Sequence, residues 1–366
     1  EAVRDRHAAH FAREVVVRWE RWHGPGFRDA VDWVITEFAN LRAAFRWSSV
    51  RADVETAVDI AAHAAMIGVS TELFETVGWV EDIIGAATAA DVRRLPRVYT
   101  AAGYSCFTGA PEHAVTHTQT AAQLATNPRY EPFEPDWADF IQALAQVYSG
   151  RVDRYVDLME KVAALPGGAR VFGLPGLVDG LQATGRVGEA LDLVEEAVAG
   201  ARRQGNPWLI AYALWVSGSV YANVDPARAL AAWREGLDYV GRHRVHFFEG
   251  FLARDAALLR LVDADPEESL GLFEVAIDSF RRVGNIAQLT VTLASVPALF
   301  ERIGCPEAAA TLYGAITSKA AGHHVPELPA LGGRVAAKLG SERFDECASR
   351  GGAMDDFTPG YSTAEP

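Results

Sequence analysis

"NPWLIAYALWVSGSVYA" (206–222), followed by "PARALAAWREGLDYVGRH" (226–243), is the stretch whose reading settles the fold class. In both segments apolar residues recur every three or four positions, the period of a helix that buries one face. The break between them, "NVDP" (223–226), leaves room only for a tight turn, so the two helices run antiparallel. Pro226 falls in the first turn of the second helix, where a missing N–H leaves nothing unsatisfied. One face of the first helix carries Leu209, Ala213, Val216 and Val220, which suit a core; another carries Trp208, Tyr212, Trp215 and Ser219.

The pair is one unit of a repeat. Seven segments open with a small turn, a polar or acidic pair, then, in all but the third, a small residue, and a long apolar one. They are "RADVETAVDIA" (51–61), "TGAPEHAVTHT" (108–118), "SGRVDRYVDLM" (149–159), "TGRVGEALDLV" (184–194), "NVDPARALAAW" (223–233), "DADPEESLGLF" (263–273) and "IGCPEAAATLY" (303–313). The aligned small position falls at 57, 114, 155, 190, 229, 269 and 309, and the last five intervals are 41, 35, 39, 40 and 40. Gly, Pro, Asn and Asp gather between helical runs, and no alternation lasts long enough to be a strand. The expected fold class is all-α: a right-handed α-solenoid of tetratricopeptide-like helix pairs with a repeat near 40 residues. Small residues at the aligned position let the helices of a pair approach closely. The interval from 57 to 114 exceeds one period and is expected to hold an extra helix, "ELFETVGWVEDIIGAA" (72–87).

Charge and composition exclude several classes. The 366 residues carry 34 Lys+Arg against 48 Asp+Glu, a formal net charge of −14. Such a chain repels phosphate backbones, and its densest basic cluster, "VGRHRVH" (240–246), is too small for a nucleic-acid footprint. No uncharged apolar run reaches the roughly 18 residues of a membrane span, and the charged start "EAVRDRHAAHFAREVVVRWERW" is no secretory signal. Cys106, Cys305 and Cys347 are few and far apart, which suits a reducing cytoplasm rather than a disulfide framework.

Three local patterns carry a resemblance to a family. "RHAAHF" (6–11), the run Glu37, Asn40, Leu41, Arg42, Ala43, Ala44 and Trp47 in "EFANLRAAFRW" (37–47), and "LGSERFDECASRGGAM" (339–354) are its marks. Together they resemble the C-terminal helical-repeat region of bacterial, especially actinobacterial, LuxR-type and cyclase-associated STAND ATPase regulators. The resemblance implies an ATPase module in the same polypeptide. No Gly-x-x-x-x-Gly-Lys-Ser/Thr loop occurs in this sequence, so that module is expected outside it, and the chain reads as a piece of a longer protein. No helix-turn-helix follows Met354, which favours the cyclase-associated branch. On this reading Asn40 and Arg42 make helix-to-helix hydrogen bonds at the start of the solenoid rather than bind a ligand. Asn40→Leu is then expected to cost about 1–3 kcal/mol.

The sequence displays no reaction chemistry. His323 and His324, with Glu327 nearby, point in different directions and make a poor metal pair. Cys106 sits among Tyr104 and Phe107, where a buried thiol is the usual outcome. The acid pairs at 195–196, 267–268 and 355–356 read as solvated faces or helix-dipole partners. No catalytic residue, metal ligand or cofactor is assigned. If the first helix of each pair lines a concave groove, its lining begins with Trp208, Tyr212, Trp215 and Ser219. Arg254, Gln288, Thr292 and Ser295 on the next two inner helices continue it, an aromatic and polar set suited to a peptide, protein or small inducer.

The sequence thus leads to a non-catalytic sensor or scaffold of a cytoplasmic signalling ATPase or transcriptional regulator. A free-standing peptide-binding adaptor and an α/α-barrel enzyme are the alternatives. The expected organisation is an N-terminal helical segment over 1–90, helix-pair repeats over 91–322, capping helices over 323–354 and a tail over 355–366.

Overall fold

The computed structural model describes residues 1–71, 73–132, 135–262, 266–283, 285–318 and 328–354. His323, His324, Glu327 and the tail 355–366 lie outside the described residues. Among the described residues there are 19 α-helices and no strand. The chain begins with α1 (Ala2–Trp22), α2 (Phe27–Thr36) and α3 (Phe38–Val50). Consecutive pairs follow: α4 (Val54–Ser70) with α5 (Glu75–Ala90), α6 (Leu95–Ala102) with α7 (Pro111–Ala125), and α8 (Pro135–Tyr148) with α9 (Val152–Ala164). Next come α10 (Gly168–Ala183) with α11 (Val187–Gln204) and α12 (Pro207–Tyr221) with α13 (Pro226–His243). The pairs α14 (Glu249–Val262) with α15 (Pro266–Val283) and α16 (Ile286–Arg302) with α17 (Pro306–Thr317) precede α18 (Leu328–Leu339) and α19 (Ser341–Gly352). This is an α-solenoid. It forms two compact units, Glu1–Phe248 and Glu249–Pro366, so the division falls inside the stretch 91–322.

The aligned small positions are buried without exception. Ala57, Ala114, Ala190, Ala229, Ser269 and Ala309 are all 0% exposed, and Tyr155 is at 1%. Tyr155 is the one large side chain at that position, and α10 makes room for it with glycines. A Cβ on Gly180 would lie 3.1 Å from a Tyr155 ring carbon, and one on Gly176 would lie 2.4 Å from the Met159 sulfur. In the first unit α4, α6, α8, α10 and α12 touch one another in succession as an inner layer, with α5, α7, α9, α11 and α13 packed outside them. The start of each later outer helix reaches back to its predecessor through Arg151–Glu112 (2.7 Å), Arg186–Glu160 (3.1 Å) and Arg228–Glu195 (2.5 Å). These pairs are solvent-exposed, so each contributes little more than register.

The interval from 57 to 114 holds two helices between α4 and α7 where the later intervals hold one: α5, the extra helix expected over 72–87, and the eight-residue α6. The short "LPRVYTAA" with Pro at its start gave too few turns to show a period. The one additional helix shifts the phase, so position 57 lies on an inner helix and 114 on an outer one.

The "EFANLRAAFRW" run is a packing motif. Leu41, Ala44 and Phe45 are buried, and Phe38 and Phe45 both stack on Trp79 of α5, with centroids 5.5 and 5.2 Å away. Arg42 lies over Phe38 and grips both Glu75 oxygens, its Nε at 2.7 Å. Trp47 donates to Asp5 of α1 at 2.9 Å. Asn40 departs from expectation: it is exposed, and its Nδ2 donates only to Glu37, three residues away, at 2.7 Å. Of the two, only Arg42 links helices. Asn40→Leu should therefore change stability by less than about 0.5 kcal/mol in denaturant unfolding, as exposed substitutions do.

Candidate functional site

The start of α12 is fixed from two directions. Gly205 ends α11 with φ 73°, a backbone that favours glycine, which frees Asn206 to cap the next helix. The Asn206 side-chain oxygen accepts from the N–H groups of Trp208 and Leu209 at 2.9 and 3.2 Å. Its Nδ2 donates to the Trp22 carbonyl at 2.7 Å, and Gln204 donates to the His23 carbonyl at 3.0 Å. The end of α1, 184 residues upstream, is thereby tied to the inner layer.

Trp208 and Tyr212 are consequently core, at 6% and 3% exposure, rather than open to a groove. Trp208 stacks on Phe172 of α10 (5.5 Å, 6°) and meets Trp22 at 5.9 Å. Trp22 also packs edge-on to Trp137 of α8 and donates to Ser70 of α4 at 3.1 Å. The aromatic face read from the sequence is thus filled at this end by rings from α1, α8 and α10. Tyr212 stacks on Phe248 (5.2 Å, 11°), and its hydroxyl lies 3.0 Å from that of Tyr155. The Tyr155 hydroxyl donates to the half-buried Asp179 carboxylate at 3.3 Å. Burial holds both phenols well above the usual tyrosine range, so they stay neutral and hydrogen-bonded at any physiological pH.

Trp215 and Ser219 lie further along the same face and are half-buried. Trp215 stacks on Tyr212 (5.9 Å) and Phe248 (6.1 Å), while its carbonyl accepts from the Trp233 indole at 3.0 Å. Gly218 permits that crossing, since a Cβ there would lie 2.1 Å from the Trp233 nitrogen.

The other four expected residues lie in the second unit. Arg254 is bonded to Asp255 at 2.8 Å and to the Gln288 carbonyl oxygen, and its guanidinium sits over the Phe251 and Phe280 rings. The structure thus joins Arg254 and Gln288. Thr292 is 0% exposed and returns its hydroxyl to the Gln288 backbone carbonyl at 2.8 Å, so it belongs to the core. Ser295 is half-buried and bonds the Val291 carbonyl at 3.0 Å.

Cys106 is 1% exposed in a 3-10 turn, and burial pushes its thiol far up from the usual range, away from nucleophile behaviour. Glu195 and Glu196 engage Arg228 and Arg170. Among the described residues no three His, Cys, Asp or Glu side chains are placed to hold a metal ion, and no helix is long and apolar enough to cross a membrane.

His63, on the α4 face shared with Ser70, is 2% exposed, and its Nδ1 lies 2.8 Å from the Asp59 carbonyl oxygen. Burial, with Arg97 and Arg94 nearby, holds this imidazole well below its ordinary value. The unfolded chain therefore takes up a proton near pH 6.5 that the folded chain refuses. Stability from this group is full above that pH and falls as pH drops, by up to about 1.4 kcal/mol per unit. His63→Gln should remove that part of the slope when urea unfolding is measured from about pH 7 to 5.

No protein-family model and no curated protein matches the chain. Among solved structures it is similar to a Rap protein complexed with competence and sporulation factor, with a TM-score of 0.55 and 15% identity over 93% of this chain and 95% of that one. A structure of Naa15/Naa10 bound to HypK-THB aligns at a TM-score of 0.25 and 10% identity, covering 94% of this chain and 67% of that one. The first likeness concerns the fold.

Proposed function

We propose that the chain is a non-catalytic helical-repeat binding region that takes a protein or peptide segment against the Trp215 and Ser219 part of α12. The observation that carries this reading is the half-buried Trp215, set on the buried Tyr212 and Phe248 rings beside the Tyr155–Asp179 hydrogen bond. A rigid aromatic face next to a carboxylate suits an apolar side chain flanked by a basic group, and the net charge of −14 favours such a partner. The Rap structure, solved with a bound factor, supports a binding role.

The regulatory setting is part of the same proposal. The "EFANLRAAFRW" and "RHAAHF" patterns support a place beside a STAND-type ATPase module in a cytoplasmic bacterial regulator, with a protein, peptide or small inducer as the signal. A Gly-x-x-x-x-Gly-Lys-Ser/Thr motif encoded upstream in the same gene is the expected finding, and a gene that encodes no such motif would count against it.

Selection of peptides on the whole chain, then repeated on Trp215→Ala, tests the binding reading. Selected peptides should bind Trp215→Ala at least about thirtyfold more weakly, the loss of an aromatic anchor worth 2 kcal/mol or more. The variant should keep its helical signal because Trp215 lies at the margin of the core. Undiminished binding would place the partner elsewhere.

A further inference from the structure

A cleft of about 830 Å³ opens on the outer side of the first unit, between α7 and α9 with α8 as its floor. Its floor and wall carry three glutamine side chains: Gln142 and Gln146, one turn apart on α8, and Gln119 on α7. Gln146 is only 6% exposed, yet its amide makes no side-chain hydrogen bond with the described residues. The amide lines the cleft, where it is open to solvent, so a ligand's polar group can take the place of water on it.

The walls supply charge of both signs. Arg154 and Asp157 of α9 face each other at 3.3 Å, with side chains 74% and 62% exposed. So exposed a pair is weak and exchanges readily for a ligand's own charges. Lys161, one turn further on, is 63% exposed and rests on the buried Asp139 at 2.7 Å. Among the described residues no aromatic side chain lines the cleft, so they offer no stacking platform of the kind a nucleobase or sugar ring would use.

We propose that this cleft binds a small zwitterion of amino-acid or short-peptide chemistry. Its carboxylate would meet Arg154 and Lys161, its ammonium group Asp157, and its amide or side chain the Gln146 and Gln142 amides. The volume lies in the range of sites for small molecules, about 300–1,000 Å³. The site is separate from the inner face of α12 and does not depend on the partner-binding reading.

Isothermal titration of the whole chain with the common free amino acids and with trialanine tests this, with N-acetyl-trialanine amide as the uncharged control. At least one zwitterion should give saturable heat, and the blocked peptide should bind about tenfold more weakly or not at all, as expected when charge-assisted bonds are lost. Gln146→Met should weaken binding by about tenfold with an unchanged melting curve. Arg154→Gln, at an exposed site that cannot unfold the chain, should do the same, whereas Trp215→Ala should bind as the parent does. Absence of saturable heat from every zwitterion, equal binding of the blocked peptide, or unchanged affinity in both cleft variants would overturn the assignment.

Discussion

Trp208→Ala should destabilise the chain by about 3–5 kcal/mol, the range for removing a buried indole. Trp208 touches Trp22, Phe140, Phe172, Tyr212, Phe247 and Phe248, so its loss opens a cavity where rings from α1, α8, α10 and α12 meet. Those rings are held by the Asn206 and Trp22 hydrogen bonds and cannot all collapse into the space. Urea unfolding followed by circular dichroism and tryptophan fluorescence measures the effect. Trp215→Ala should cost clearly less, because that indole is only half-buried. Equal losses at both positions would show that the inner face is core along its whole length and would remove the proposed contact surface.

Gly351→Ala and Gly314→Ala should each cost 2 kcal/mol or more, above the middle of the usual 1–3 kcal/mol for overpacking. Helices α17 and α19 cross at these two residues. A Cβ on Gly314 would lie 1.9 Å from the Ala348 carbonyl oxygen, and one on Gly351 would lie 1.8 Å from that of Thr311. Both obstacles are backbone, so relief requires the helices to separate and to lose the contacts around Ala310 and Cys347. Gly333→Ala is the control: the site is exposed with nothing within 4 Å, and helix propensity should make the change neutral or stabilising by up to about 1 kcal/mol. Denaturant midpoints of the three variants decide the matter, and equal behaviour at all three would contradict the close crossing.

The Gly351–Met354 part of the C-terminal pattern thus acquires a physical reading, since its glycine is the point of helix contact. Tyr155 shows the same lesson from the other side. It broke the run of small residues at the aligned position, a visible irregularity in the sequence. What it signified, a hydroxyl reaching Tyr212 and Asp179 across a glycine-lined α10, depended on two other helices. Phe248 and Trp137 carried no comparable mark, because an aromatic residue on a helix looks alike whether it faces a core or a groove.

Helix periodicity, turn residues and the near-40 spacing determined the all-α class, the pairing and the buried small positions. These are local properties, set by side chains within one or two turns of each other and by the neighbouring repeat. The tertiary structure alone decided that Trp208 and Tyr212 are core, that Asn40 faces solvent, and that the short α6 completes the inner layer between α4 and α8. Each of these follows from where distant segments meet, above all the end of α1 against the start of α12, 184 residues apart. A single sequence records which faces are apolar or aromatic but not which partner covers them, because burial is a property of the assembled layers.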